Sequence, residues 1–195
     1  MREKLVWLDK LLFLKINRDC QNEYLDKVTL FFREPKFWVP LYFFMLLFVA
    51  ANFGKKAWGW IACWLLTVAA TDSISSKIFK PFFARPRPCA DEFFSNQVRL
   101  LASYCGGNGS FPSSHAASHF GMAMFFFLTL RHQFPKQVWL FFVWAGAVCF
   151  SQVYVGVHYP SDVLGGSVLG MLIGGSAGLF HNSKNGLLQN GAHSL

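Results

Sequence analysis

Charge is scarce in this sequence. Only 14% of its 195 residues are Asp, Glu, Lys or Arg, and only 10 are acidic. A soluble domain carries about 25%, so an ordinary water-soluble globule is excluded. The hydrophobic content of 53%, with 23 Phe and 7 Trp, points instead to a membrane. Residues 1–36 lack an uninterrupted apolar core, which excludes a cleavable signal as their reading. Nuclear and prenylation signals, internal repeats, low-complexity tracts and a second soluble domain are all missing. At this length one domain is expected.

Positive charge is not scarce. The net charge is +8, yet the Lys and Arg residues do not gather on a soluble helix or patch, which argues against nucleic acid. Anionic lipid head groups or an anionic substrate account for them better.

A membrane-crossing helix needs roughly 20 predominantly apolar residues. Five segments meet or approach that length: 37–54, 57–79, 114–130, 138–157 and 162–180. The expected fold is an all-α polytopic bundle of about five transmembrane helices, with residues 37–180 as the membrane-embedded domain. Residues 1–36 are too polar to span, because Asp9, Lys10, Lys15, Arg18, Asp19, Glu23, Asp26 and Lys27 interrupt them. They are expected as amphipathic helices lying on the membrane surface. Residues 181–195 are expected as a polar, flexible tail. Five crossings put the one long loop, 80–113, on the same face as the turn at His158 and the N-terminus.

Three clusters meet at that face. Lys80, Arg85 and Arg87 lie in a stretch with Pro81, Pro86 and Pro88, expected to be stiff and extended. Alone it reads as a positive anchor at a span end. Pro112-Ser113-Ser114-His115 opens the third span. Its serines can be mere caps, but a helix start also aims N–H groups at an anion, and His115 adds a proton donor. In the third cluster, Ser151-Gln152 precedes His158, and Asp162 can reach back to that imidazole. A carboxylate there fixes the tautomer and leaves the other nitrogen to attack. An isolated His–Asp pair reads more simply as a staple for the turn. Together the clusters hold the cations, the nucleophile and the acid that phosphoryl transfer requires.

Lys80 with six residues before Arg87-Pro88, then Pro112-Ser113-Ser114-His115, then Ser151-Gln152 with five residues before His158 and three before Asp162, resemble the signature of the type-two phosphatidate phosphatase and vanadium haloperoxidase superfamily. The resemblance covers roughly residues 37–180. It implies metal-independent hydrolysis through a phosphohistidine, without a cofactor. It also implies that Lys80, Arg87, Ser113 and the Ser114 amide hold the phosphate, that His115 protonates the leaving oxygen, and that Asp162 orients the nucleophile His158. Two positions depart from the family pattern. Ser114 replaces a Gly and keeps the N–H. Gln152 replaces an Arg, so a charged bidentate contact is lost. Gln152 remains a phosphate-pocket residue, and Arg85 or Arg99 is expected to supply part of the missing charge.

Other signals carry less. His115 and His119 are four apart, but no acid accompanies them, so no metal is expected. Ser113 as nucleophile is disfavoured because no Gly-x-Ser-x-Gly elbow exists. Gly166, Gly170, Gly174 and Gly178 form a ridge suited to close helix packing. Cys63 and Cys149 fit buried small hydrophobes. Cys89 and Cys105 are compatible with free thiols or with a disulfide; the disulfide is favoured, and it requires an oxidising compartment.

The expected substrate is a membrane lipid phosphate: a lipid A phosphate, undecaprenyl diphosphate, phosphatidylglycerol phosphate or phosphatidate. No obligatory protein partner is expected. Transfer to an acceptor other than water, and a non-catalytic membrane binder, are the competing readings. Thirteen of the 18 Lys and Arg residues fall on the site's side, which by the positive-inside rule favours the cytoplasm. Because several of these cations read as catalytic, the periplasmic or outer face of a bacterial cytoplasmic membrane is the expected location.

Overall fold

The computed structural model describes residues 2–107 and 109–187. Every regular element among them is helical. Two short helices, α1 (Arg2–Leu14) and α2 (Glu23–Arg33), joined through a π turn at Lys15–Asp19, form the N-terminal segment. Asn22 caps α2, its Oδ1 accepting from Tyr24 N at 2.9 Å. A 3₁₀ turn, Pro35–Trp38, leads into α3 (Val39–Phe53). Gly54 reverses the chain at φ +54°, a conformation that a Cβ disfavours. Next come α4 (Lys56–Ser73), a π segment (Ile74–Phe79) and the short α5 (Lys80–Phe83).

These last three elements run on as one rod, Lys56–Phe83. The second span therefore passes the expected end at residue 79, and Lys80-Pro81 is helical rather than extended. Pro81 lies in the last turn of this rod, where its missing N–H leaves one intrahelical bond unmade just before the chain turns. Ala84, at φ +45°, ends the rod.

After the loop come α6 (Ser114–Leu130), α7 (Trp139–Tyr154) and α8 (Pro160–Asn185). Here α8 corrects the expected tail. It continues past residue 180, and His181 is fully buried rather than loose. Residues 188–195, the rest of that expected tail, lie outside the described residues.

Among the described residues, three helical stretches are long and apolar enough to cross a membrane: Pro35–Phe53, Lys56–Phe83 and Pro160–Lys184. Trp139–Tyr154 is a shorter apolar helix. Helix α6 occupies the centre, packed by α4, α7 and α8. Its Phe125 and Phe126 meet Trp60 and Trp64 in the main core. The Trp60 indole donates to Thr129 Oγ1 at 2.8 Å, which satisfies the polar tip inside that core. Leucines and phenylalanines such as Phe43, Phe44, Leu66, Leu140 and Leu172 face outward, as lipid solvation requires.

The glycine ridge does what its spacing predicts. A Cβ on Gly166 would strike the Ser113 carbonyl, one on Gly170 the Ala117 carbonyl, and one on Gly174 the Gly121 carbonyl. The backbones of α6 and α8 therefore touch directly, and this contact sets the motif-bearing starts of the two helices side by side. Ser113 N donates to the Asp162 carbonyl at 3.0 Å, joining those starts.

The N-terminal segment does more than lie on a surface: α1 packs on α8 and α2 on α7. It folds back over the polar end of the bundle. Asn17 is fully buried; its Nδ2 donates to the carbonyls of Arg99 and Tyr154, both at 2.8 Å. Phe13 packs against Phe94 and Tyr159.

Candidate active site

His158 stands in the tight turn between α7 and α8. Gly156 makes the turn possible: its φ is +91°, and a Cβ there would sit 2.8 Å from the Arg99 carbonyl. The backbone N–H groups of Val157 and His158 both donate to the Gln152 carbonyl, at 3.2 Å. The last turn of α7 thereby holds the imidazole in place, with a relative exposure of 1%.

The tautomer of His158 follows from its neighbours. Arg87 Nη1 lies 3.1 Å from His158 Nε2, and a guanidinium can only donate. Nε2 is therefore the bare nitrogen and Nδ1 carries the proton. Nδ1 faces Asp162 Oδ2 at 3.6 Å and Ser110 Oγ at 3.4 Å. Burial is the main reason the imidazole pKa falls to about 4; Arg87 adds to the fall, and Asp162 opposes it. The imidazole is neutral at pH 7, with its Nε2 lone pair directed at the cations.

Asp162 is fully buried and fully engaged. Its Oδ2 accepts from Tyr159 N at 2.8 Å and from the Ser110 hydroxyl. Its Oδ1 accepts from Arg85 Nη1 at 2.7 Å. Ser110 carries no sequence signal beyond its place two residues before Pro112; only the fold shows it beneath the dyad. Its N–H donates to the Arg85 carbonyl at 2.8 Å, which anchors the loop.

Lys80 and Arg87 line a cavity of about 570 Å³ together with Ser76, Gly106, Gly107 and Gly109. A side chain at 106 would crowd the Arg87 guanidinium at 3.2 Å. Burial also lowers the Arg87 pKa, with Asp162 opposing the fall. Ser113 caps α6 through an Oγ contact from Ala116 N at 3.5 Å. Ser114 Oγ accepts from Ser75 at 2.9 Å. His115, half-buried, closes the polar end of an apolar groove of about 400 Å³ lined by Tyr42, Leu46, Trp64 and Val68. His119 bonds back to the His115 carbonyl at 2.8 Å and packs on Trp144.

The expected role of Arg85 and Arg99 as replacement phosphate ligands is corrected. Arg85 is clamped between Asp9 and Asp162, at 2.7 Å each. Arg99 makes a double contact with Asp26, at 2.8 and 3.0 Å, and donates to the Asn17 carbonyl. Carboxylates of the N-terminal helices, Asp9 and Asp26, read as surface residues, take up these cations. The charge missing at Gln152 is not restored by either. Gln152 itself is fully buried, and its side-chain amide has no hydrogen-bond partner among the described residues. Cys89 and Cys105 are joined in a disulfide that ties the Arg87 segment to the glycine loop, and Cys149 is buried.

The model of the PAP2 superfamily matches residues 60–185. The chain belongs to the PAP2 superfamily. A lipid A 4'-phosphatase of Porphyromonas gingivalis is 30% identical over 175 residues, 88% of this chain and 72% of that protein. A lipid A 4'-phosphatase of Bacteroides thetaiotaomicron is 32% identical over 136 residues, 68% of this chain and 59% of that protein. This chain therefore spans less than two thirds of the Bacteroides protein. The crystal structure of Aquifex aeolicus LpxE superposes with a TM-score of 0.62 at 26% identity, covering 85% of this chain and 92% of that one. The helices and these relatives together make the chain an integral membrane protein of bacterial type.

Proposed function

We propose that this chain, a lipid phosphatase of the PAP2 superfamily, removes a phosphate monoester from the sugar head group of a lipid A. One observation carries the chemistry: His158 offers a bare Nε2 toward Arg87 while its protonated Nδ1 faces Asp162. The likeness to lipid A 4'-phosphatases over most of the chain supports the substrate. The groove that ends at His115 supports a substrate held partly in lipid.

In this reading Lys80, Arg87, Ser113, the Ser114 amide and Gln152 hold the phosphate oxygens. His158 Nε2 attacks phosphorus in line, forming the N–P bond as the P–O bond to the sugar breaks. His115 gives its proton to the leaving oxygen; the bound phosphate dianion beside it favours the protonated ring. Water, deprotonated by His115, then attacks phosphorus. The N–P bond breaks, its electron pair returns to Nε2, and inorganic phosphate leaves. Asp162 holds the ring and stabilises the positive charge it develops.

Purified protein in detergent with EDTA, given lipid A, undecaprenyl diphosphate, phosphatidylglycerol phosphate and phosphatidate, is expected to release phosphate from lipid A at the highest kcat/KM. EDTA is expected to leave the rate unchanged. A preference for another lipid in the panel would move the substrate to that lipid. A dephosphorylated lipid with its phosphate found on a second acceptor would make the protein a transferase.

The same reading puts the site on the periplasmic face of a bacterial cytoplasmic membrane, where the Cys89–Cys105 disulfide persists. Intact cells treated with a membrane-impermeant thiol reagent are expected to label Cys89 and Cys105 only after reduction with an equally impermeant phosphine. No labelling even after reduction would place the loop on the cytoplasmic side, and labelling without reductant would show two free thiols in place of the disulfide.

A further inference from the structure

We propose that Asp9, on the interfacial helix α1, is a positioning residue for the His158–Asp162 dyad, acting through Arg85. The inference rests on the phosphatase reading above and deepens it. Asp9 lies in a helix whose Leu5, Trp7 and Leu8 face outward, yet its own exposure is only 8%. Its Oδ1 accepts from Ser161 N at 2.9 Å at the start of α8, and its Oδ2 accepts from the Ser161 hydroxyl. Oδ2 also pairs with Arg85 Nη2 at 2.7 Å, while Arg85 Nη1 bonds Asp162 Oδ1 at 2.7 Å. Two carboxylates thus share one guanidinium, and the far oxygen of the second, Oδ2, faces the imidazole at 3.6 Å. The Arg85 guanidinium stacks on Tyr159 at 4.2 Å, which keeps it from swinging away.

The charge consequence has a definite sign. Arg85 alone would neutralise much of Asp162 and weaken its hold on the His158 Nδ1 proton. Asp9 draws part of that positive charge to itself, leaving Asp162 a stronger acceptor and His158 a better nucleophile. Other charged or titratable groups facing His158 are Arg87 from the loop, Lys80 from α5 and His115 from α6. None of these bonds Asp9 or Arg85 among the described contacts. The N-terminal helix therefore completes the site from outside the family-matched residues 60–185.

The test measures kcat, KM and the pH profile of phosphate release for the full chain and for Asp9→Asn, Asp9→Glu, Arg85→Gln and His158→Ala. Asp9→Asn is expected to lower kcat about 10-fold or more with KM little changed, and to move the acid limb of kcat/KM downward by about half a pH unit. Arg85→Gln is expected to move that limb upward, because Asp162 loses the guanidinium bonded to its Oδ1. Asp9→Glu is expected to restore most of kcat. A purely structural clasp would give no opposed pH shifts, so coincident limbs in the wild type, Asp9→Asn and Arg85→Gln overturn the proposal. If Asp9→Asn does not fold, the Arg85→Gln limb decides alone, an upward shift supporting the proposal and no shift overturning it. Phosphate release that survives in His158→Ala would instead overturn His158 as the nucleophile, and no release from any lipid by the wild-type chain would overturn the phosphatase reading itself.

Discussion

His158→Ala is expected to lower kcat for lipid phosphate release by about 10⁴-fold or more, the scale seen when an enzyme loses its nucleophile. KM should change little, because Lys80 and Arg87, which line the phosphate cavity, remain in place. Substrate labelled in its phosphate should leave a protein-bound, acid-labile, base-stable adduct on the wild-type chain and none on the variant. Ser113→Ala is the necessary companion. Ser113 lies at the start of α6, its side chain fully buried and capping the helix, so its loss should cost far less than that of His158. The opposite ranking would return the serine to the role of nucleophile. The pH dependence carries the same signature. Attack needs neutral His158, and burial holds its pKa near 4. Activity limited by this group should therefore persist well below 6.5, where a free imidazole would already be half protonated. The same depression acts on stability. Below pH 6.5 the unfolded chain takes up a proton that the folded His158 refuses, so this group's contribution turns against folding as pH falls from about 6.5 toward 4.

Gly170→Ala combined with Gly174→Ala is expected to destabilise the protein by about 3 kcal/mol or more, the cost of forced overpacking. Each added methyl would meet backbone rather than a yielding side chain: the Ala117 carbonyl from 170 and the Gly121 carbonyl from 174. The helices α6 and α8 must separate to admit them, and with that separation the Ser113–Asp162 backbone link would open. Activity should fall together with stability. The control is Gly146→Ala in α7, where a Cβ would meet nothing within 4 Å. There the gain in helix propensity, about 0.5–1 kcal/mol, should leave the melting temperature unchanged or raised. Thermal melts in one detergent compare the three proteins. Equal melting temperatures for the double variant and the wild type would show that the ridge is not a close contact.

How much was legible follows from these residues. Lys80, Arg87, His115, His158 and Asp162 stand out as candidates because each stands at a fixed interval from a neighbour within a short motif. Chain spacing carries that information directly. The glycine ridge was readable for the same reason, since a repeat of four on a helix is one face. Arg85 was misassigned. Its proximity to Arg87 along the chain suggested a shared ligand, but Arg85 turns toward Asp9 and Asp162 while Arg87 reaches the bare nitrogen of His158. Ser110 was missed because a serine in a polar loop has no distinguishing neighbour.

The sequence by itself determined the membrane setting, the helical class and the family resemblance. Apolar run length and motif spacing are local quantities, and a linear chain displays them. Tertiary structure alone decided that the N-terminal helices pack on α7 and α8, that Asp9 meets an arginine 76 positions away, and that Ser110 bonds Asp162. A charged residue in an amphipathic helix reads the same whether it faces water or a buried guanidinium. Only the packing that removes water around Asp9 makes its carboxylate part of the site.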